Sequence, residues 1–213
     1  MKLYVSGASA TLRRLAPHPH LGHLLTPHNG NRVESLLATG MEIAIDNAAF
    51  SNWLEDAFVA LLTRLRPHAL AQRERFAWCA APDVVGDARM TLRRFWRWAG
   101  VIGWAGLPIA FVAQDGCEPI CGVPWDEIRC LFIGGSTRWK LGSDAARLIR
   151  EAKRRGKWVH VGRVNSLQRI GRFDALGADS IDGTQFSMFP DRYIPRYLER
   201  LERRQRGIFE AVV

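Results

Sequence analysis

Cysteine is scarce in this sequence of 213 residues, and its arrangement argues against two common roles. The four cysteines are Cys79, Cys117, Cys121 and Cys130, and no two of them form a CxxC pair. The CxxxC spacing of Cys117 and Cys121 is followed by no second pair of ligands at zinc-finger spacing, so we expect no metal site. Four cysteines are also too few for a disulfide scaffold in a chain of this length, which favours a reducing, cytoplasmic environment.

Long apolar runs and nucleotide-binding signatures are missing as well. No apolar run approaches the roughly 20 residues of a membrane-spanning helix, and the first residues, MKLYVSGASATLRR, lack the apolar stretch of a signal peptide. There is no GxGxxG after a first strand and no GxxxxGK[ST]. These absences argue against a membrane protein and against a nucleotide-binding, doubly wound sheet.

The charge of the chain is strongly positive. Thirty Lys and Arg residues against 21 Asp and Glu residues give a formal net charge of +9, and the sequence pI is about 10.1. Basic proteins attract polyanions because neutralised phosphates release counterions. The composition therefore predicts a nucleic-acid partner, with a merely soluble basic protein as the alternative.

Short apolar runs alternate with helical patterns along the chain. Each run is rich in β-branched or aromatic residues and ends at Gly, Pro, Asn or Asp, as buried parallel strands do. The eight runs span residues 2–8, 21–27, 41–47, 75–82, 108–116, 130–136, 157–164 and 179–184. Eight strands alternating with helices indicate an α/β fold, either a (β/α)8 barrel or a doubly wound sheet. We favour a compact TIM barrel, formed by residues 1–213 as one domain.

The carboxyl ends of the predicted strands carry polar residues and glycines. In a barrel, functional residues gather at these ends, on one face. The residues are Asp46, Asn47, Asp83, Gln114, Asp115, Gly134, Gly135, His160 and Asp182. Any one of them is more often a turn or core residue, but in a barrel they would converge on one site.

These residue types suit a nucleobase. Carboxylates and a carboxamide bind a ring with N–H donors, such as guanine, and glycine lets a flat ligand approach the backbone. Two carboxylates beside a sugar carbon permit retaining glycosyl chemistry, in which one attacks and the other moves protons. The pattern predicts a nucleobase site without naming the reaction.

Six segments resemble, in the same order, segments of the tRNA-guanine transglycosylase superfamily. They are IDNAAF (45–50), APDVVGD (81–87), FVAQDG (111–116), FIGGS (132–136), VHVGRV (159–164) and GADSIDG (177–183). The likeness is greatest to the compact DNA 7-deazaguanine transglycosylases of phages and genomic islands. It implies a queuine tRNA-ribosyltransferase-like TIM barrel, a pentosyltransferase that replaces guanine in DNA with a 7-deazaguanine, such as 7-cyano-7-deazaguanine. The reaction would pass through a covalent aspartyl-glycosyl intermediate.

The resemblance also implies a role for each matching residue. Asp182 would be the nucleophile, and Asp46 would be the acid–base residue. The other matches would bind the base, and they are Phe50, Asp83, Gln114, Gly134, Gly135 and His160. Among these, Phe50 and His160 would sandwich the base, while the others would hold its edges.

Two departures from the family pattern bear on the substrate. The tRNA enzymes of the family carry clustered cysteines and a histidine that hold a structural zinc, and nothing here matches that subdomain. The stretch DGTQFSMFPDR (182–192) also replaces the family's usual continuation. Both differences favour DNA over tRNA, with a free 7-deazaguanine base as co-substrate. We expect no cofactor. We also expect a monomer or a different dimer, because the zinc-dependent members of the family dimerise through regions missing here.

Three cations near the predicted site are candidates for binding phosphates. Arg138 and Lys140 follow the glycine pair, and Arg163 follows the seventh strand. A solvated loop is the alternative for the first two.

Other functions stay open at this stage. They are the same exchange on tRNA, a nucleoside or DNA glycosylase that hydrolyses the N-glycosidic bond, and a non-catalytic nucleic-acid-binding barrel. Exchange would incorporate a free base into the nucleic acid, hydrolysis would leave abasic sites, and a binding module would do neither.

Overall fold

Eight parallel strands close into a barrel in the order of the chain. The computed structural model describes residues 1–7, 10–28, 32–51, 53–117 and 122–210. The strands are β1 (Lys2–Ser6), β2 (Leu21–Leu25), β3 (Glu42–Ile45), β4 (Phe76–Ala80), β5 (Ile109–Ala113), β6 (Cys130–Ile133), β7 (Trp158–Val161) and β8 (Ser180–Ile181). All eight predicted strands are confirmed, and so is the (β/α)8 barrel.

Helices follow most of the strands. They are α1 (Ala10–Leu15), α2 (Val33–Leu37), α3 (Glu55–Ala71), α4 (Ala88–Trp104), α5 (Thr137–Lys140), α6 (Ser143–Arg154), α7 (Leu167–Ala175), α8 (Thr184–Met188) and α9 (Pro190–Glu210). In α6, Ala145, Ile149 and Ala152 are buried, which is the apolar stripe of a helix packed on a sheet. No helix within the described ranges is long and apolar enough to cross a membrane.

The barrel is closed by β8, a strand of two residues. Ser180 and Ile181 pair with His160 and Val161 of β7 on one side, and with the start of β1 on the other. Asp179 holds the start of β8, because its carboxylate accepts hydrogen bonds from the Lys153 ammonium at 2.6 and 2.7 Å. The position of β8 is therefore set by an ion pair as well as by the sheet.

The interior of the barrel is filled by aromatic side chains. The Trp78 ring centroid lies 5.7 Å from that of Tyr4, 5.5 Å from that of Phe132 and 4.5 Å from that of His160. Trp78 and Tyr4 are fully buried. Small barrels of this kind are packed with side chains and have no central pore, so these rings form the floor beneath the carboxyl ends of the strands.

Replacing Trp78 tests the contribution of this floor to stability. We expect Trp78→Ala to lower the free energy of unfolding by about 3–5 kcal/mol, because the lost ring leaves a cavity that the barrel cannot close. Trp96→Ala is the matched control, since Trp96 is exposed on α4, and its cost should stay within about 0.5 kcal/mol. Denaturant unfolding measures both, and equal losses would contradict this assignment.

Candidate active site

A cavity of about 410 Å³ opens at the carboxyl ends of the strands. All eight strands contribute to its wall, through their last residues or the loops that follow. The predicted site residues that line it are Asp46, Phe50, Asp83, Gln114, Gly134, Arg163 and Asp182. Its volume lies within the roughly 300–1,000 Å³ of small-molecule sites.

Asp182 follows β8 directly and projects toward the cavity with 13 % of its side chain exposed. One carboxylate oxygen, Oδ2, lies 2.9 Å from Nε2 of His160. The other, Oδ1, accepts a hydrogen bond of 3.0 Å from the backbone N–H of Arg163. Both oxygens are thus held in place, and the carboxylate still reaches the cavity.

Asp46 follows β3 and lines the same cavity. Its Oδ1 accepts a hydrogen bond of 2.7 Å from the backbone N–H of Ala48, whose φ of 61° lies in the left-handed region. Burial raises the pKa of Asp46 to about 7, and the nearby negative charges of Asp182 and Asp83 act in the same direction. This side chain can therefore both donate and accept a proton near neutral pH.

Asp83 is the centre of a buried cluster of amides. Its Oδ1 accepts a hydrogen bond of 2.8 Å from Asn47, and its Oδ2 accepts one of 2.6 Å from Gln114. Burial raises the pKa of Asp83, and the two amide donors oppose that rise. Asn47 also donates to the Ala81 carbonyl. No signal in the sequence indicated that Asn47 binds Asp83, because the two residues are distant in the chain.

The glycine pair after β6 shapes the wall next to Gln114. A Cβ atom at Gly134 would lie 2.7 Å from Gln114 Nε2 and 2.8 Å from Val112 Cγ1, so no larger residue fits there without displacing them. Gly135 has a φ of 62°, and its N–H donates to Gln114 Oε1 at 3.0 Å. Gly135 is not part of the cavity lining and orients Gln114 instead.

The structure corrects the prediction that His160 stacks on a base. Its side chain is fully buried and does not line the cavity. Since side chains alternate along a strand, Trp158, His160 and Gly162 point into the barrel, and Gly162 is the one at cavity level. His160 belongs to the layer below, where it contacts the Trp78 and Phe132 rings.

Lys140 requires a similar correction. Only 4 % of it is exposed, and its ammonium donates a hydrogen bond of 2.5 Å to the Gly162 carbonyl. Burial lowers the pKa of Lys140 to about 8, with the charge of Arg163 acting in the same direction. A phosphate at the surface cannot reach this group, so Lys140 supports the loop after β7 instead. Arg138 is exposed on α5 and keeps its predicted role as a candidate.

Phe50 and Arg163 contact each other at the mouth of the cavity. Phe50 has 65 % of its surface exposed, and the Arg163 guanidinium lies 3.9 Å from the centroid of its ring. The guanidinium also donates to the Gly135 carbonyl, and Arg163 has a φ of 59°. The flat surface predicted to stack on a base is thus covered by a cation in this structure.

The geometry places the chain among the (β/α)8 barrels whose site lies at the carboxyl ends of the strands. No protein-family model matches the sequence, and a search of curated proteins finds no match. An HpcH/HpaI aldolase from Desulfitobacterium hafniense DCB-2 is similar in structure, with a TM-score of 0.50 and 12 % identity over 94 % of this chain and 92 % of the aldolase.

A second similar structure is a xylose isomerase domain-containing protein from Salmonella typhimurium LT2. It has a TM-score of 0.45 and 11 % identity, over 93 % of this chain and 95 % of that one. At such identities the likeness extends to the fold alone.

The site combines Asp182, which is held by two hydrogen-bond partners, and Asp46, whose pKa burial raises, with a buried polar wall. Within the described residues, no three His, Cys, Asp or Glu side chains are grouped to hold a metal ion. Pairs of carboxylates whose environments differ can divide the work of a nucleophile and a proton carrier. Asp182 and Asp46 both lie on the wall of one cavity.

The raised pKa of Asp46 makes protein stability depend on pH. The folded state binds the Asp46 proton more tightly than the unfolded state does. Protonated Asp46 therefore contributes its full stabilisation below about pH 4, and this stabilisation is lost as the pH rises through about 7. We expect Asp46→Asn to raise the free energy of unfolding by about 1–3 kcal/mol at pH 8, and by less than about 1 kcal/mol at pH 5.

Denaturant unfolding of both proteins at the two pH values checks this expectation. Asp56→Asn removes an exposed carboxylate at the start of α3 and controls for the loss of one negative charge. An Asp46→Asn effect that is the same at both pH values would contradict the assignment.

Proposed function

We propose that this protein exchanges guanine in DNA for a 7-deazaguanine base through a covalent aspartyl-glycosyl intermediate. The observation that carries the proposal is the convergence of Asp182, Asp46 and the Asp83–Gln114 pair on one cavity sized for a small molecule. A carboxylate nucleophile, a proton carrier and a group that reads N–H donors are the parts that such an exchange needs.

In the first half of the reaction, a carboxylate oxygen of Asp182 attacks C1′ of the target nucleotide. A C1′–O bond forms, the C1′–N9 bond breaks, and the electron pair passes to N9 of guanine. Asp46 in its protonated form gives its proton to the departing base. A pKa of about 7 leaves a large share of Asp46 protonated at neutral pH.

The second half uses the same groups in reverse. The incoming 7-deazaguanine gives its ring N–H proton to ionised Asp46, and the freed nitrogen attacks C1′. The C1′–O bond to Asp182 breaks, which restores the carboxylate and forms the new glycosidic bond. One residue with a near-neutral pKa thus serves both directions without any external acid or base.

The buried amide cluster supports guanine as the base that is recognised. The N1–H and N2–H groups of guanine are donors, and Asp83 is an acceptor on the cavity wall. Asn47 and Gln114 each donate to one of its oxygens, which fixes the plane of the carboxylate. A carboxylate oxygen has more than one lone pair, so Asp83 can still accept from the base.

The Phe50–Arg163 contact supports an exchange of partners during DNA binding. A flipped base that stacks on Phe50 takes the place of the Arg163 guanidinium, which lies 3.9 Å from that ring. The displaced arginine is then free to pair with a phosphate beside the flipped nucleotide. Arg138 and the net charge of +9 favour the polyanion on this face. DNA is the preferred substrate because the zinc cluster of the tRNA enzymes has no match in the sequence.

A base-exchange assay tests the proposed reaction. Purified protein is incubated with single- or double-stranded DNA and isotope-labelled guanine or 7-cyano-7-deazaguanine, and the nucleosides are analysed by mass spectrometry. We expect labelled base in the DNA without abasic sites, and a loss of at least about 10³-fold in Asp182→Asn because the nucleophile is gone.

Asp56→Asn is the matched control, because it makes the same change at an exposed carboxylate on α3 that does not line the cavity. We expect this variant to retain base exchange, and thermal unfolding establishes that it is folded at the assay temperature. Abasic sites instead of incorporation would establish a glycosylase. Incorporation into tRNA but not into DNA would identify tRNA as the substrate. No reaction with either nucleic acid would refute the proposal.

Removing the charge of Asp83 tests the recognition of the base. In Asp83→Asn, an amide replaces a carboxylate that faces two amide donors and the base. We expect the KM for the free base to rise about tenfold or more, since an unpaired buried polar group costs about 1–3 kcal/mol. Asp115→Asn is the control, because Asp115 follows the next strand but binds Ser136 outside the cavity. An equal rise in both variants would contradict the role of Asp83.

A further inference from the structure

A chain of hydrogen bonds runs beneath the cavity from Trp158 to Asp182. The Trp158 indole Nε1 lies 2.8 Å from the Ser180 hydroxyl. That hydroxyl lies 2.9 Å from His160 Nδ1, and His160 Nε2 lies 2.9 Å from Asp182 Oδ2. Ser180 and His160 are fully buried and face each other across β7 and β8. We call Trp158, Ser180 and His160 the relay.

The direction of these hydrogen bonds follows from the donors present. An indole N–H can only donate, so the Ser180 oxygen accepts from Trp158 and its own proton is free to point to His160 Nδ1. The Asp182 carboxylate offers only lone pairs, so Nε2–H donates to it, and a neutral ring then leaves Nδ1 unprotonated to accept from Ser180. The opposite tautomer would bring an Nε2 lone pair against a carboxylate oxygen at 2.9 Å, which is repulsive.

The surroundings of His160 favour the neutral imidazole. Burial lowers its pKa, although Asp182 acts against that effect. The Lys140 ammonium on α5 adds a positive charge that also disfavours an imidazolium. The other titratable groups against it are Cys130 on β6 and Tyr4 on β1, and burial raises the pKa of each far above neutrality. Asp182 is thus the one anionic group within hydrogen-bonding distance of this ring among the described residues.

We infer that the relay is a positioning device that locks His160 as its Nε2–H tautomer and so holds the Asp182 carboxylate in one orientation toward the cavity. His160 touches neither the cavity nor a base, and it acts only through Asp182. The tautomer follows from the contacts alone, whereas its effect on rate rests on the proposed function.

The protonation of the two His160 ring nitrogens can be determined on the wild-type protein without any substrate. Two-dimensional 15N–1H correlation of the histidine ring, assigned with a His160→Gln variant, distinguishes protonated from unprotonated ring nitrogens. We expect Nε2 to carry the proton and Nδ1 to be bare from pH 5 to pH 8. A protonated Nδ1, alone or together with Nε2, would overturn the relay.

Two substitutions at His160 test its effect on Asp182. The side-chain amide nitrogen of His160→Gln can take the place of Nε2, whereas the shorter His160→Asn reaches only as far as Nδ1. Both are neutral amides in the same buried site. We expect His160→Asn to lose about 10²-fold in kcat for base exchange, as a misplaced reacting group does, with the KM for DNA unchanged within about twofold.

The pH–rate profile separates positioning from a general loss of structure. Without the Nε2–H donor the ionised form of Asp182 loses a partner, so the acid limb of His160→Asn should move to higher pH. His160→Gln should restore kcat to within about tenfold of wild type and return the limb to its place.

Thermal unfolding of both variants establishes that they are folded at the assay temperature. Equal losses in the two folded variants, with unchanged pH profiles, would overturn the relay. If the wild-type protein shows no exchange at all, the proposed function fails while the ring-nitrogen spectrum still decides the relay.

Discussion

The pairing of β8 with both β7 and β1 is the constraint on which the rest of the structure depends. The strand has only two residues, and further hydrogen bonds at both of its ends hold it in place. Asp179 anchors its start to Lys153, and the backbone of Asp182 bonds to Val161 and Val164 at its end. This register closes the barrel, puts Ser180 in the packed interior, and leaves Asp182 at the first position that faces the cavity. Barrel closure and the placement of the candidate nucleophile are therefore the same structural event.

Three carboxylates gather around one cavity, and the protein stabilises each in a different way. Asp182 is held by two N–H donors, and Asp83 is held by two side-chain amides. Asp46 has a backbone donor but is otherwise buried near the other two charges, and its pKa rises accordingly. A protein selected only for stability would not place these groups together, because each buried charge opposes folding. The proposed function gives these carboxylates three separate roles, as a nucleophile, a base-reading group and a proton carrier.

Arg163 links the parts of this site. Its backbone N–H binds Asp182, and its side chain crosses to the Gly135 carbonyl and covers Phe50. A φ of 59° is unfavourable for a residue other than glycine, and residues held in such conformations tend to cluster at functional sites. The loops after β3, β6 and β7 thus meet through one side chain. A ligand that takes its place on Phe50 alters contacts at both the mouth and the glycine loop.

The sequence by itself determined the eight strands and the residue types at their ends, and it favoured a barrel over a doubly wound sheet. Each strand is a contiguous apolar run ended by breakers, so its existence depends on neighbours in the chain and is visible without the fold. Only the tertiary structure decided which side chains reach the cavity. His160 on β7 and Gly162 just after it are two residues apart, yet the packing of Trp78 and Phe132 buries the first, and the second lies at the cavity wall. The burial of Lys140, the bridging by Asn47 and the contact between Trp158 and Ser180 likewise depend on residues distant in the chain. Depth along a strand and cross-strand partners are set by barrel closure, which no local pattern encodes.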